Sequence, residues 1–134
     1  MFGKSFSREQ DNPINAALNY GYAILLSAVN REILSLGYIT QLGLNHCNQF
    51  NPYNLGSDLM EPLRGFVDAV VIKLRPTEFD RNVKLALIEL LSEDVKINDT
   101  VRTFSAAIRI YCKSVFDALC TQNANQIRFI EYEL

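Results

Sequence analysis

Tryptophan is absent and histidine occurs only once, at position 46. One imidazole cannot form a multi-histidine zinc site, and Cys47, Cys112 and Cys120 have no C-x-x-C spacing to supply thiolates instead. An odd set of cysteines also argues against a disulfide framework, so reduced thiols are expected, two of them at core-facing helix positions. Long apolar runs are missing too. "YAILLSAV" and "LALIELL" fall short of the roughly twenty residues that span a bilayer, and the amino terminus has no signal-peptide pattern. These absences favour a cytoplasmic protein with no membrane partner. There is no block of like charge and the formal net charge is −2, so any contact with nucleic acid must rest on local cations rather than on a generally basic surface.

What is present is a chain of 134 residues, 49% hydrophobic and 21% charged, the balance of a globular protein with one core. No internal repeat or linker divides it, and residues 1–134 are read as a single domain. "DNPINAALNYGYAILLSAVNREILSLGY" places Ile14, Ala17, Leu18, Tyr22, Leu25, Leu26, Val29, Ile33 and Leu36 on one helical face. Asp11 or Asn12 can cap this helix, Pro13 suits its first position, and Gly37 is a natural stop.

Residues 43–56 hold two glycines, a proline and several asparagines, and read as a loop carrying His46. "SDLMEPLRGFVDAVVIKL" resumes helical spacing, with Ser57 or Asp58 as its cap and Pro62 in the first turn. A third helix is predicted from Phe79 to Leu91, then a polar turn at "SEDVKINDT", a last long helix from Thr100 to Cys120, and a short extended tail. No stretch alternates with period two for long, and no Gly-x-Gly hairpin signal occurs. The predicted fold class is therefore all-α, a compact bundle of about four to six helices.

The chemistry-bearing residues gather around His46. Asp58 and Glu61, the latter fifteen positions after His46, lie three apart and share a helix face, so a loop returning His46 to them would assemble an imidazole and two carboxylates. Hard oxygen donors with one imidazole suit magnesium or manganese, the ions of phosphodiester chemistry. The same residues also fit a capping box, with Asp58 as cap and Glu61 reaching back, and spacing alone leaves both readings open.

The stretch from "MFGKSFSR" through "LNYGYAIL" and "LGLNHCNQFN" to "SDLMEPLRGFVD" resembles the helical catalytic lobe of the CRISPR-associated integrase, the nuclease of spacer acquisition, and is most similar to members that accompany single-effector type II systems. "KLALIELL" continues the resemblance more loosely. The resemblance implies a metal site for Mg2+ or Mn2+ in which His46 and Glu61 are ligands and Asp58 supports them. It also implies a first glutamate on a helix ahead of the "FGKSFSR" segment; Glu9 follows that segment and is not its equivalent. The chain is accordingly expected to be a carboxy-terminal lobe lacking that ligand and the amino-terminal β domain, and to be inactive alone.

For the intact protein the implied reaction is metal-dependent transesterification that joins DNA 3′ ends to the CRISPR repeat. The implied partners are double-stranded DNA (protospacer and repeat), a second copy of the intact protein and the small adaptation nuclease. Arg64, Lys73 and Arg75 are candidate phosphate contacts, with an ordinary solvated helix face as the alternative, and Asn15, Asn19 and Tyr22 are candidates for orienting the ligands. The competing functional reading is a non-catalytic helical module that binds another protein through exposed apolar surface.

Overall fold

The computed structural model of the chain describes residues 12–43 and 52–131. Five α-helices run through them: α1 (Pro13–Gly43), α2 (Pro52–Met60), α3 (Arg64–Leu74), α4 (Arg81–Glu89) and α5 (Phe104–Thr121). The predicted helical bundle is present. A small antiparallel hairpin, β1 (Asp94–Ile97) with β2 (Thr100–Thr103), is added to it.

Helix α1 is the central element and packs against α2, α3, α4 and α5. Its start follows the expectation: the Asn12 side chain accepts from the amides of Ile14 and Asn15 at 2.9 and 3.3 Å, and Pro13 takes the first helical position. Its end does not. The helix continues past Gly37 to Gly43, since a single interior glycine costs only about 1 kcal/mol relative to alanine and no proline follows to enforce a stop.

Part of the predicted 43–56 loop is helix instead, because Pro52 opens α2 at the position where a missing N–H does no harm. Ser57 and Asp58 consequently lie within α2 and are not caps, which removes the capping-box reading of Asp58 and Glu61. Pro62 has no amide to donate to the carbonyl of residue 58, and the helix tightens into a 3-10 turn at Glu61–Leu63 before resuming as α3.

Helix α3 ends at Arg75, whose left-handed backbone (φ 45°) directs its N–H to the Val71 carbonyl at 2.9 Å. Asp80 caps α4 by accepting from the Val83 amide at 3.1 Å, which sets the start just after the predicted Phe79. The predicted polar turn at "SEDVKINDT" is instead the hairpin. Asn98 and Asp99 both adopt positive φ (58° and 61°), a turn conformation that these side chains tolerate without glycine. Val95 and Ile97 alternate into the core on β1. Thr103 then caps α5 by accepting from the Ala106 amide at 3.2 Å, so the helix begins at Phe104, four residues later than the predicted Thr100.

The core is continuous. Leu25 and Val29 of α1, Val67 of α3, Leu87 of α4, Ile97 of β1, and Phe104, Ile108 and Cys112 of α5 are essentially solvent-free. Phe66 and Phe104 stack at 4.6 Å between ring centroids, which ties α3 to the start of α5. The buried Tyr111 hydroxyl donates to the Leu59 carbonyl at 3.0 Å, satisfying a phenol that would otherwise be stranded and linking α5 to α2. The predicted extended tail is only partly extended: a 3-10 turn at Ala124–Gln126 precedes the extended backbone that begins at Ile127. Ser114 Oγ donates to the Tyr111 carbonyl at 2.7 Å and accepts from the Arg128 amide at 2.8 Å, and Lys96 and Glu131 exchange two backbone bonds at 3.0 and 2.8 Å. No helix among the described residues is long and apolar enough to cross a membrane.

Two outcomes follow from this packing. A methyl group at Gly21 would stand 2.5 Å from Val67 Cγ1, so Gly21→Ala should cost about 1–3 kcal/mol, read as a lower urea midpoint with unchanged slope. Burial pushes the Cys112 thiol up from 9.0 and the Tyr111 phenol up from 10.0, each to about 12. Both groups are neutral when protonated, and the unfolded chain releases these protons earlier than the folded one. Stability should therefore fall as pH rises from about 9 towards 12. Denaturation across that range should show the part that begins near pH 9 missing in Cys112→Ala and the part that begins near pH 10 missing in Tyr111→Phe.

Candidate functional site

The break at Pro62 separates two helical segments, and the candidate acidic residues flank it. Asp58 is exposed in the last turns of α2, and Glu61 is exposed in the 3-10 turn. Arg64, the first residue of α3, brings Nε to 3.8 Å from Glu61 Oε1, with both side chains open to water (45% and 61%). An exposed pair of this length contributes at most about 1 kcal/mol and does not by itself hold Arg64 in place.

Arg64 is held by α1. Its guanidinium carbon lies 4.8 Å from the centre of the Tyr22 ring, a cation–π geometry. Tyr22 is itself anchored, since its hydroxyl donates to Asp68 Oδ1 at 2.5 Å in a part-buried contact between α1 and α3. That hydrogen bond to Asp68 is the main cause of a raised Tyr22 pKa. Burial and the Asp68 charge add to it, and the Arg64 charge opposes it. A hydrogen bond from phenol to carboxylate is among the strong ones, so the order of strength runs from Asp68 outward to Glu61.

The structure thus brings Tyr22, Arg64 and Glu61 together, with Asp68 as a fourth member that sequence reading missed. A signal for it existed, because Asp68 lies four residues after Arg64 and so shares its helix face. Asn15 and Asn19 are exposed on α1, seven and three residues before Tyr22 and on the same side of the helix.

Lys73 and Arg75 are not part of this group. Lys73 is nine residues beyond Arg64, at about 100° per residue roughly half a turn round α3, and it lines a cleft of about 280 Å³ with Glu89, Glu93 and Asp94. Arg75 sits at the helix end, beside Glu78 and Asp80. His46 lies outside the described residues, and among the described ones no group of three or more His, Cys, Asp or Glu side chains is placed to hold a metal ion. The donors in place around Glu61 are water-exposed carboxylate oxygens, which fit part of a site for a hard divalent cation and not a thiolate-seeking metal.

The Asp68–Tyr22 bond can be read directly. In Asp68→Asn the charged acceptor is lost, so the Tyr22 phenol should ionise at lower pH in an ultraviolet titration referenced to Tyr22→Phe, and stability should fall by about 1 kcal/mol.

Comparison with known proteins gives a consistent assignment. The model of the family described as CRISPR associated protein Cas1 matches residues 2–84. The chain is 36% identical over 136 residues to the CRISPR-associated endonuclease Cas1 of Neisseria meningitidis serogroup C, covering 98% of this chain and 45% of that protein. It is 35% identical over 120 residues to the CRISPR-associated endonuclease Cas1 2 of Pyrobaculum aerophilum, covering 85% of this chain and 40% of that protein. With the CRISPR-associated endonuclease Cas1 1 of Francisella tularensis subsp. novicida the identity is 40% over 75 residues, 55% of this chain and 24% of that one. The chain spans less than half the length of these relatives. With a family match across most of its length and a relative aligned along nearly all of it, the chain belongs to the Cas1 family of CRISPR-associated proteins.

Proposed function

We propose that this chain supplies the helical metal-binding lobe of a CRISPR adaptation integrase. On this reading His46 and Glu61 hold a magnesium or manganese ion, Asp58 supports a ligand or a bound water, and Arg64 meets a DNA phosphate. The observation that carries it is the exposed Glu61 carboxylate at the Pro62 break, with Arg64 one turn on, in a member of a family whose relatives are named endonucleases.

The reaction of the intact protein is a transesterification. The 3′-hydroxyl oxygen of the captured DNA forms a bond to phosphorus, the phosphodiester bond of the repeat strand breaks, and the departing oxygen leaves as a new 3′-hydroxyl. A divalent cation supplies stabilisation of the negative charge that builds on the phosphoryl oxygens. Arg64 contributes a fixed positive charge on the same side, and the Tyr22 ring keeps its guanidinium near Glu61. Lys73 and Arg75, on other faces of α3, can meet a duplex only as separate contacts. The partners on this reading are protospacer and repeat DNA, a second copy of the intact protein and the small adaptation nuclease.

A second reading, a helical module that binds protein and no metal, is favoured by the large apolar side chains Leu34, Ile72 and Phe129, which are 64%, 66% and 60% exposed. Binding separates the two. Calorimetry with manganese should show weak association with the chain, reduced at least several-fold by His46→Ala and by Glu61→Gln. Equal binding by all three proteins would instead support the module.

A further inference from the structure

We infer that the apolar cleft between α3, α4 and the start of β1 is a docking site for a partner protein, and that it takes an apolar side chain and a neighbouring arginine from one segment of that partner. The inference is independent of the metal reading, because no residue of the cleft belongs to the group around Glu61.

Phe66, Leu90 and Val95, all buried, form the floor of the cleft, and Leu74 stands 39% exposed at its edge. Apolar surface of this kind gains by being covered with another apolar group. The volume of about 280 Å³ lies below the range of about 300–1,000 Å³ typical of small-molecule pockets, so the cleft suits one or two side chains of a docked segment better than a whole cofactor. Its charge selects among such segments. Glu89, Glu93 and Asp94 share the lining with Lys73, three carboxylates against one ammonium. No ion pair or side-chain hydrogen bond joins these four to any other described residue, so the negative charge is unspent. A nucleic-acid backbone would approach against that charge. A metal ion does not fit either, since no group of three or more carboxylate, imidazole or thiol side chains among the described residues is placed to hold one. Carboxylates spread around an apolar floor call for a broad cation on an apolar stem. Arginine meets that description: its methylenes cover apolar surface, and its planar fork of five N–H donors reaches two separate carboxylates. Lysine, a compact and strongly hydrated point charge, fits less well. Lys73 is half a turn round α3 from Arg64, so a segment docked here lies on the far side of that helix from the Pro62 break.

The test selects binders to the full chain from a random peptide display library and measures the enriched peptides, made synthetically, by fluorescence anisotropy. Enriched peptides should carry arginine within one or two residues of leucine, methionine or phenylalanine, and their affinity should fall as salt rises. Removing charge with the double variant Glu93→Gln, Asp94→Asn should weaken binding about two- to tenfold, the range expected for two exposed charge pairs. Changing the peptide arginine to lysine should weaken it as well. Ala69 is exposed on α3 and lines the cleft, so Ala69→Phe should fill the space and abolish binding. Arg64→Gln should leave peptide binding unchanged.

If the library yields no binder, if the enriched peptides show no preference for arginine, or if they bind the cleft variants as tightly as the native chain, the inference is overturned. It is overturned too if sedimentation shows that the chain self-associates and that the cleft variants abolish this association, because the occupant is then a second copy. The altered side chains are exposed, so the variants should fold; matched thermal melts establish that the affinities belong to the native state. None of these outcomes bears on manganese binding at Glu61, and failure here leaves the metal reading standing.

Discussion

The close crossing of α1 over α3 is the constraint on which the rest of the molecule depends. At Gly21 there is no room for a Cβ, because Val67 of α3 and Leu87 of α4 occupy the space it would need. The next residue on α1 is Tyr22, and the next on α3 is Asp68. The glycine contact brings their two backbones close enough for the phenol to reach the carboxylate, and the ring is thereby set as the surface against which Arg64 lies. A core contact and a polar chain leading to Glu61 are thus one geometric fact seen from the inside and the outside of the helix pair.

A second constraint acts from Pro62. Without its amide the ladder of helical bonds is interrupted after Met60, and the tighter 3-10 turn redirects the segment that carries Glu61. Leu59, Met60 and Leu63 around the turn are buried, and the Tyr111 hydroxyl takes the Leu59 carbonyl, so apolar packing and one buried hydrogen bond stabilise the break. Glu61 remains outside that packing. Its carboxylate therefore keeps its hydration and, among the described residues, meets only the exposed guanidinium of Arg64.

Much of this was legible in the sequence where one physical term dominates. The α1 face from Ala17 to Leu36 was readable because burial repeats with helical period, although Ile14, read onto the same face, is exposed in the first turn; Asn12–Pro13 was readable because caps act locally. The resemblance carried by "LNYGYAIL" and "SDLMEPLRGFVD" led to the family now assigned and drew attention to Tyr22, Glu61 and Arg64. Two kinds of feature were not legible. The Asn98–Asp99 hairpin escaped because its strands are four residues long and its turn uses side chains that tolerate positive φ in place of glycine. The true helix boundaries at Gly43 and Pro52 escaped because an interior glycine and a first-turn proline are weak signals, easily outweighed by neighbouring helix. Asp68 was overlooked for a different reason. Its spacing from Arg64 was readable, but its hydrogen-bond partner lies 46 residues away, and a long-range bond leaves no periodicity of its own.

Placement also explains why the three candidate cations of α3 are not equivalent. Arg64, Lys73 and Arg75 are close in sequence, but helical rotation sends Lys73 to a cleft with three carboxylates, and Arg75, at the left-handed end of the helix, lines a separate surface hollow with Glu78 and Asp80. In those surroundings the local charge is negative, and a phosphate would have to approach against it. Arg64 alone of the three rests on an aromatic face, where its charge is oriented without being consumed in a strong ion pair. What distinguishes Arg64 from the other two cations is therefore the ring that lies against its guanidinium. The chain Asp68–Tyr22–Arg64 supplies that support from the packed interior outward, with each contact weaker and more exposed than the one before it. The strongest bond is thus where the two helices meet, and the weakest is at the exposed surface.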